Sequence, residues 1–240
     1  MSGHSKWKNI AAKKGKVDAA RGNIFTKLGR ELYVAVKAGG PDPAGNSKLR
    51  DVIAKCKSNN MPNDNIDRSI KKASGEGSNI QYEEITYEGY GPNGVAVIVE
   101  AMTDNRNRTA ADVRHTFDKF GGNLGTTGCV SFLFERKGVI LIEKEATTMT
   151  EDDLMLVAID AGADDFENDE EFYKITTSVQ NFSTVRETLE KSNVIMASAE
   201  LDMIPNTTVE LDEEAGRKLE LLLEKLDESD DVSEIYHNAL

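Results

Sequence analysis

From Val17 onward, apolar residues recur every three or four positions: Val17, Ala20, Ile24, Leu28, Leu32 and Val36. That spacing is one face of a helix. Gly39-Gly40-Pro41 predicts its end, because proline cannot continue the hydrogen-bond ladder and glycine tolerates the turn. Leu49, Val52, Ile53 and Cys56 mark a second helix, with Asn46 as its expected cap. Met61-Pro62-Asn63 restarts the chain into a third, which bears Ile66 and Ile70 and has Asn63 as its expected cap. Ser74-Gly75-Glu76-Gly77-Ser78 reads as a linker.

Beyond the linker the period shifts towards two. Strands are predicted at Ile85–Tyr90 and Val95–Ala101, separated by the turn Gly91-Pro92-Asn93-Gly94. A helix with Val113, Phe117 and Phe120 inward follows, then a strand at Val130–Glu135. Residues 137–205 read as a unit of their own. It comprises a strand at Val139–Glu143, a helix opened by the capping sequence Thr150-Glu151-Asp152-Asp153 and closed at Gly162, and strands near Asp165 and at Phe172–Thr177. A helix at Ser183–Lys191 and a last strand with Ala199, Leu201 and Met203 on one face complete it. That order, β-α-β-β-α-β, is the ferredoxin-like arrangement. Thr207–Leu211 and Val232–Tyr236 read as strands around a helix that is capped by Asp212 and buries Ala215, Leu219, Leu222, Leu223 and Leu226. The predicted fold class is α+β with three domains: a basic arm plus a three-helix domain (1–75), a discontinuous βαβ-type α/β domain (82–136 and 206–240), and an inserted ferredoxin-like βαββαβ domain (137–205).

Charge alters this picture more than composition does. The first 75 residues hold sixteen Lys or Arg against six Asp or Glu, about +10, while the other 165 carry about −23. A basic head on an acidic body points to a polyanionic partner, because cations that meet phosphates release counterions. The expected contacts are Lys6, Lys8, Lys13, Lys14 and Lys16 of the arm, Arg21, Lys27 and Arg30 of the first helix, and Arg68, Lys71 and Lys72 of the third. Trp7, among the lysines, would stack on a base. The plainer alternative is a solvated basic face with Trp7 packed as core. Arg106 and Arg108, beside a predicted helix start, either hold a phosphate or pair with nearby carboxylates.

Other chemistry finds less support. Gly121-Gly122-Asn123-Leu124-Gly125-Thr126-Thr127-Gly128 follows a helix and lacks the Gly-Lys-Ser/Thr ending, so it predicts a turn rather than a phosphate cradle. His4, His115 and His237 are isolated, and Cys56 and Cys129 lie far apart, so neither a metal site nor a disulfide framework is expected. The acidic clusters Glu151-Asp152-Asp153, Asp169-Glu170-Glu171 and 227–231 fit capping or solvated surface. No catalytic constellation can be assembled from spacing, and no cofactor is expected. The longest apolar stretches, near Val95–Val99 and Val139–Ile142, fall far short of the roughly 20 residues that span a bilayer. No apolar run follows the basic start, so no secretory signal is expected and the protein is expected in the cytoplasm; a monomer is the default expectation, since the sequence does not fix oligomeric state.

Gly3-His4-Ser5-Lys6-Trp7 resembles the signature of the YebC family. Further matches are Arg21-Gly22 with Phe25, Gly39-Gly40-Pro41-Asp42-Pro43, Asn60-Met61-Pro62 with Asp64-Asn65-Ile66, and Tyr87-Glu88-Gly89-Tyr90-Gly91-Pro92. Thr103-Asp104-Asn105-Arg106-Asn107-Arg108-Thr109, Gly121-Gly122-Asn123-Leu124-Gly125 and Tyr236-His237-Asn238 extend the resemblance over nearly the whole chain. It implies three domains, DNA binding and transcriptional control. A mitochondrial relative is a translational activator of cytochrome oxidase, and bacterial members have been linked to ribosomes stalled on proline-rich sequences. Members commonly read Asp-x-Lys-Arg-Gly-Lys where this chain has Asp18-Ala19-Ala20-Arg21-Gly22-Asn23. Ala20 and Asn23 therefore fall outside any carried-over phosphate patch. The residues and the resemblance together predict a non-enzymatic, DNA-binding transcriptional regulator. The first alternative is a ribosome-associated translation factor that binds ribosomal RNA and relieves stalling; the second is a metal-dependent hydrolase built on the acidic clusters.

Overall fold

The computed structural model describes residues 19–75 and 81–240, with side chains from residue 23 onward. The chain opens with three helices, α1 (Ala19–Gly39), α2 (Ser47–Ser58) and α3 (Asn63–Ser74). Their shared core takes Leu28, Leu32, Tyr33 and Val36 from α1, Leu49, Val52 and Cys56 from α2, and Met61, Ile66 and Ala73 from α3 and its approach. Each fully buried Leu stabilises by about 1.5–3 kcal/mol, and Leu32 and Leu49 are both fully buried in this core.

Asn46 sets the corner between these two helices. Its side chain accepts from the Leu49 N–H (3.0 Å), capping α2, and donates to the Ala35 and Gly40 carbonyls (2.8 and 2.9 Å) at the end of α1. Gly40, at φ +86°, supplies the left-handed turn that brings those carbonyls within reach. The expected cap of the third helix is displaced by one residue. Pro62 occupies the cap position without a side-chain hydrogen bond, and its carbonyl accepts from Asn65 and Ile66. Asn63 is already inside the helix.

Beyond the linker lie two four-stranded antiparallel sheets. The first orders as β3-β1-β2-β8, built from β1 (Glu83–Tyr90), β2 (Ala96–Thr103), the two-residue β3 (Asn123–Leu124) and, from the far end of the chain, β8 (Val232–His237). Helices α4 (Arg106–Lys119) and α7 (Glu213–Asp227) cover one face, burying Val97, Val99, Val113, Phe117, Leu222 and Leu226 between them. The opposite face carries Ala96, Ile98 and Tyr236 against Val130 and Phe134. Strand β2 is thus apolar on both sides, which is why it reads as a continuous run. The second sheet orders as β5-β6-β4-β7, with β4 (Phe134–Glu143), β5 (Asp165–Asn168), β6 (Phe172–Thr177) and β7 (Ser198–Pro205). Helices α5 (Glu151–Asp160) and α6 (Phe182–Lys191) close one face over Ile140, Ile142, Leu154, Ile175, Val185 and Leu189. This is the ferredoxin-like β-α-β-β-α-β order, and the α+β class with a leading helical bundle holds.

Three expected strands are corrected. Val130–Glu135 and Val139–Glu143 are not separate strands. Residues 131–133 form a single 3₁₀ turn, and β4 then runs unbroken through Gly138 in the second sheet. The strand needs Gly138, which lies between the two expected strands: a Cβ there would meet the Phe182 ring at 2.5 Å and collide with the Thr177 hydroxyl. The strand that follows α4 is β3 instead. Thr207–Leu211 is not a ladder either. It makes one parallel bridge, Val209 to Ala239, while Val209 and Leu211 pack on the first sheet's core.

Candidate nucleic-acid interface

Besides the exposed Lys37 and Lys57, the head's described cations form two sets. Lys27, Arg30, Lys48, Arg50 and Lys55 turn towards the body. Lys27 donates to the Asp227 carbonyl (2.6 Å) and carboxylate (2.9 Å) at the end of α7. Arg30 reaches the Asp231 carboxylate (2.5 Å), the Asp230 carbonyl (2.7 Å) and the Met102 carbonyl (3.1 Å), with Tyr82 stacked on its guanidinium. Lys48 pairs with Glu84, and Arg50 with Glu187 of α6. From the other side, buried Arg186 of α6 reaches back to Asp51. Lys27 and Arg30 were expected at phosphates; here protein oxygens hold them.

Lys55 sits between Glu31 (2.9 Å) and Glu234 (2.8 Å). Burial alone would push its ammonium down, but the carboxylates of Glu234 and Glu31 outweigh that and push it up, so it stays charged. Burial pushes the Glu31 carboxyl up despite Lys55, and Glu234 adds to the rise.

Asp231 is the hub of this seam. It is buried, and its two oxygens accept from Arg30, Arg108 (2.8 Å), Thr109 Oγ1 (2.7 Å) and Thr103 Oγ1 (3.2 Å). Desolvation raises its pKa, but the hydrogen bonds from Arg108, Thr109 and Arg30 win and lower it to about 2. Arg108 also bonds Asp104 (2.9 Å), so of its two readings the structure takes the carboxylate pairing. Arg106 is exposed at the start of α4, and Asn105 caps that helix by accepting from the Arg108 N–H (3.1 Å).

The outward set lies on the other side of the bundle. Arg68, Lys71 and Lys72 are exposed on one face of α3, spaced i, i+3, i+4, and make no ion pair among the described residues. Beside them a shallow groove of about 250 Å³ runs between α1 and α3, lined by Phe25, Thr26, Met61, Asn65, Arg68 and Ser69. Phe25 and Met61 supply apolar lining and Asn65 and Arg68 polar lining, the residue types that stack a base and hold a phosphate. Lys6, Trp7, Lys8, Lys13, Lys14 and Lys16 lie outside the described residues, as does the side chain of Arg21.

The glycine-rich loop has an internal anion. Buried Glu88 of β1 accepts from the N–H groups of Gly128 (2.8 Å), Val130 (2.9 Å) and Ser131 (2.8 Å). Burial would raise its pKa, yet these bonds lower it. The loop's donors are therefore aimed inward. Sequence reasoning missed Glu88, Lys55 and Asp231. The only signals were a lone acid in an alternating strand and one Asp within 227–231, a stretch taken for solvated surface or capping. Among the described residues no three His, Cys, Asp or Glu side chains converge to hold a metal, and no helix is long and apolar enough to cross a membrane.

Two family models match: one described as "TACO1/YebC protein N-terminal domain" over residues 5–76, the other as "TACO1/YebC second and third domain" over residues 82–239. A protein of Lachnoclostridium phytofermentans is 59% identical over 239 residues, covering 99% of each chain, and is named a probable transcriptional regulatory protein. One of Ruminiclostridium cellulolyticum, with the same name, is 61% identical and covers 99% of this chain and 96% of its own. The crystal structure of a conserved hypothetical protein from Aquifex aeolicus superposes with a TM-score of 0.82 at 48% identity, over 94% of this chain and 92% of that one.

Proposed function

On the premise that the chain belongs to the YebC family, matched along nearly its whole length, we propose that it is a non-enzymatic regulator of gene expression that binds nucleic acid through its helical head. The observation that carries this reading is the division of the head's cations. Five are paired in the seam, whereas Arg68, Lys71 and Lys72 cluster on one face of α3, without an ion pair among the described residues, beside a groove lined by Phe25 and Met61. Carboxylates on the body repel a polyanion elsewhere, so they restrict contact to this face. Relatives named as transcriptional regulators support DNA as the polymer.

Anisotropy titrations of a duplex over a salt series test the contact set. Arg68→Ala, Lys71→Ala and Lys72→Ala combined should flatten the slope of log K against log salt by up to about three units, with the melting temperature unchanged because all three are exposed. An unchanged slope sinks the proposed face. Sedimentation of a lysate through sucrose gradients then identifies the polymer. Co-migration with ribosomes that survives DNase overturns the DNA assignment in favour of ribosomal RNA.

A further inference from the structure

Helix α5 buries Leu154 and Ala158 but is also apolar on its outer side, where Met155, Leu156 and Ile159 are 38%, 60% and 52% exposed. The other body helices differ. The outer face of α6 carries Thr184, Thr188 and Lys191, that of α4 Asp112, Arg114, His115 and Asp118, and that of α7 sets a single exposed leucine, Leu221, among charges. A helix apolar on both sides is ordinarily buried on both sides.

The surroundings of this face say what would cover it. Residues 145–171 contain eleven Asp or Glu and no Lys or Arg. Asp152, Asp153 and Asp160 share the outer side of α5 with the apolar residues, and Asp164, Asp165 and Glu167 follow directly behind it. Thr150 caps the helix, donating to the Asp153 carboxylate and accepting from its N–H, which accounts for Asp153. Nothing in the helix requires the exposed Leu156 and Ile159. Glu167 pairs with Lys174 (2.7 Å), but Asp152, Asp153, Asp160, Asp164 and Asp165 make no ion pair among the described residues. An apolar strip bordered by such carboxylates repels nucleic acid and attracts a cationic surface with an apolar centre.

We propose that the outer face of α5 is a protein-docking surface whose occupant is a cationic amphipathic helix of a partner protein. Leu, Met or aromatic residues of that helix would cover Leu156 and Ile159, and its Lys or Arg residues would meet Asp152, Asp153 and Asp160. This goes beyond the nucleic-acid reading and does not depend on it: the head would grip the polymer while α5 holds the protein.

The test uses the full chain and a defined probe, a labelled 14-residue helical peptide with Leu at i, i+3, i+4 and i+7 and Lys at the remaining outward positions. A second peptide of equal charge has Ser in place of each Leu. The expected result is saturable binding to the first peptide, weakened by added salt, with amide shifts confined to residues 151–167. Leu156→Ser with Ile159→Ser should weaken it at least tenfold while leaving the melting temperature and duplex affinity unchanged. Three results would overturn the proposal. The Ser peptide could bind as well as the Leu peptide; the shifts could fall on α7 or scatter over the acidic body; or the wild-type chain could dimerise in sedimentation and the double variant not, making the occupant a second copy.

Discussion

Asp231→Asn removes one charge from the centre of the seam and leaves the shape of the side chain. The amide offers a single accepting oxygen where the carboxylate offers two, and its NH2 faces donors. Arg30 keeps the Met102 and Asp230 carbonyls, and Arg108 keeps Asp104, so the loss falls short of a wholly abandoned buried ion. A pKa lowered from 3.8 to about 2 corresponds to about 2 kcal/mol of preference for the charged form. The unsatisfied donors raise the expected cost to about 2–3 kcal/mol. At neutral pH the urea midpoint should fall by that amount divided by an unchanged m-value. The pH dependence has a definite sign. The folded-state pKa is depressed, so the stabilisation is fully present above the unfolded value near 4 and is lost as pH falls through about 2. Roughly half should be gone by about pH 3. The gap between wild type and Asp231→Asn should therefore narrow by about 1 kcal/mol between pH 6 and pH 3. A gap below about 0.5 kcal/mol at pH 7, or one that ignores pH, would refute the hub.

Glu88→Ala strands three inward-facing N–H groups and should cost about 2–4 kcal/mol; amide exchange at Gly128, Val130 and Ser131 should accelerate, and continued protection would show that another acceptor holds the loop. Lys55→Met leaves Glu31 and Glu234 facing each other without a cation, at a cost of about 3 kcal/mol. Because burial already holds the Glu31 carboxyl high, acidification from neutral pH should restore part of that variant's stability by protonating it, and a deficit that is flat or grows on acidification contradicts the account. Lys13→Ala, Lys14→Ala and Lys16→Ala together should flatten the duplex salt slope by up to about three units without changing the melting temperature; an unaltered slope removes the arm from the contact set.

What could be read from the sequence was local. The stripe at Leu28, Leu32 and Val36, the Asn46 and Asp212 caps and the β-α-β-β-α-β order each depend on residues a few positions apart. Partners in space could not be read. Lys27 and Arg30 carry the same charge and helical spacing as Arg68 and Lys71, and nothing local says that two meet carboxylates some 200 residues away while two face outward. The role of Gly138 was hidden for a related reason: its lack of a side chain matters only because Phe182 closes over it.

The seam also changes the meaning of one departure from the family pattern. Asn23 stands where the resemblance to the family leads one to expect lysine, which on sequence alone subtracts a phosphate contact. In the fold its Nδ2 donates to the carbonyls of Asp227 and Glu228, at 3.2 and 3.3 Å, where α7 ends. A lysine there would meet the negative end of that helix and the carboxylates around it, as Lys27 does one turn later. The substitution therefore trades a charged contact between head and body for a neutral one. Its consequence belongs to how firmly the head is held, and the outward set on α3 keeps its full charge.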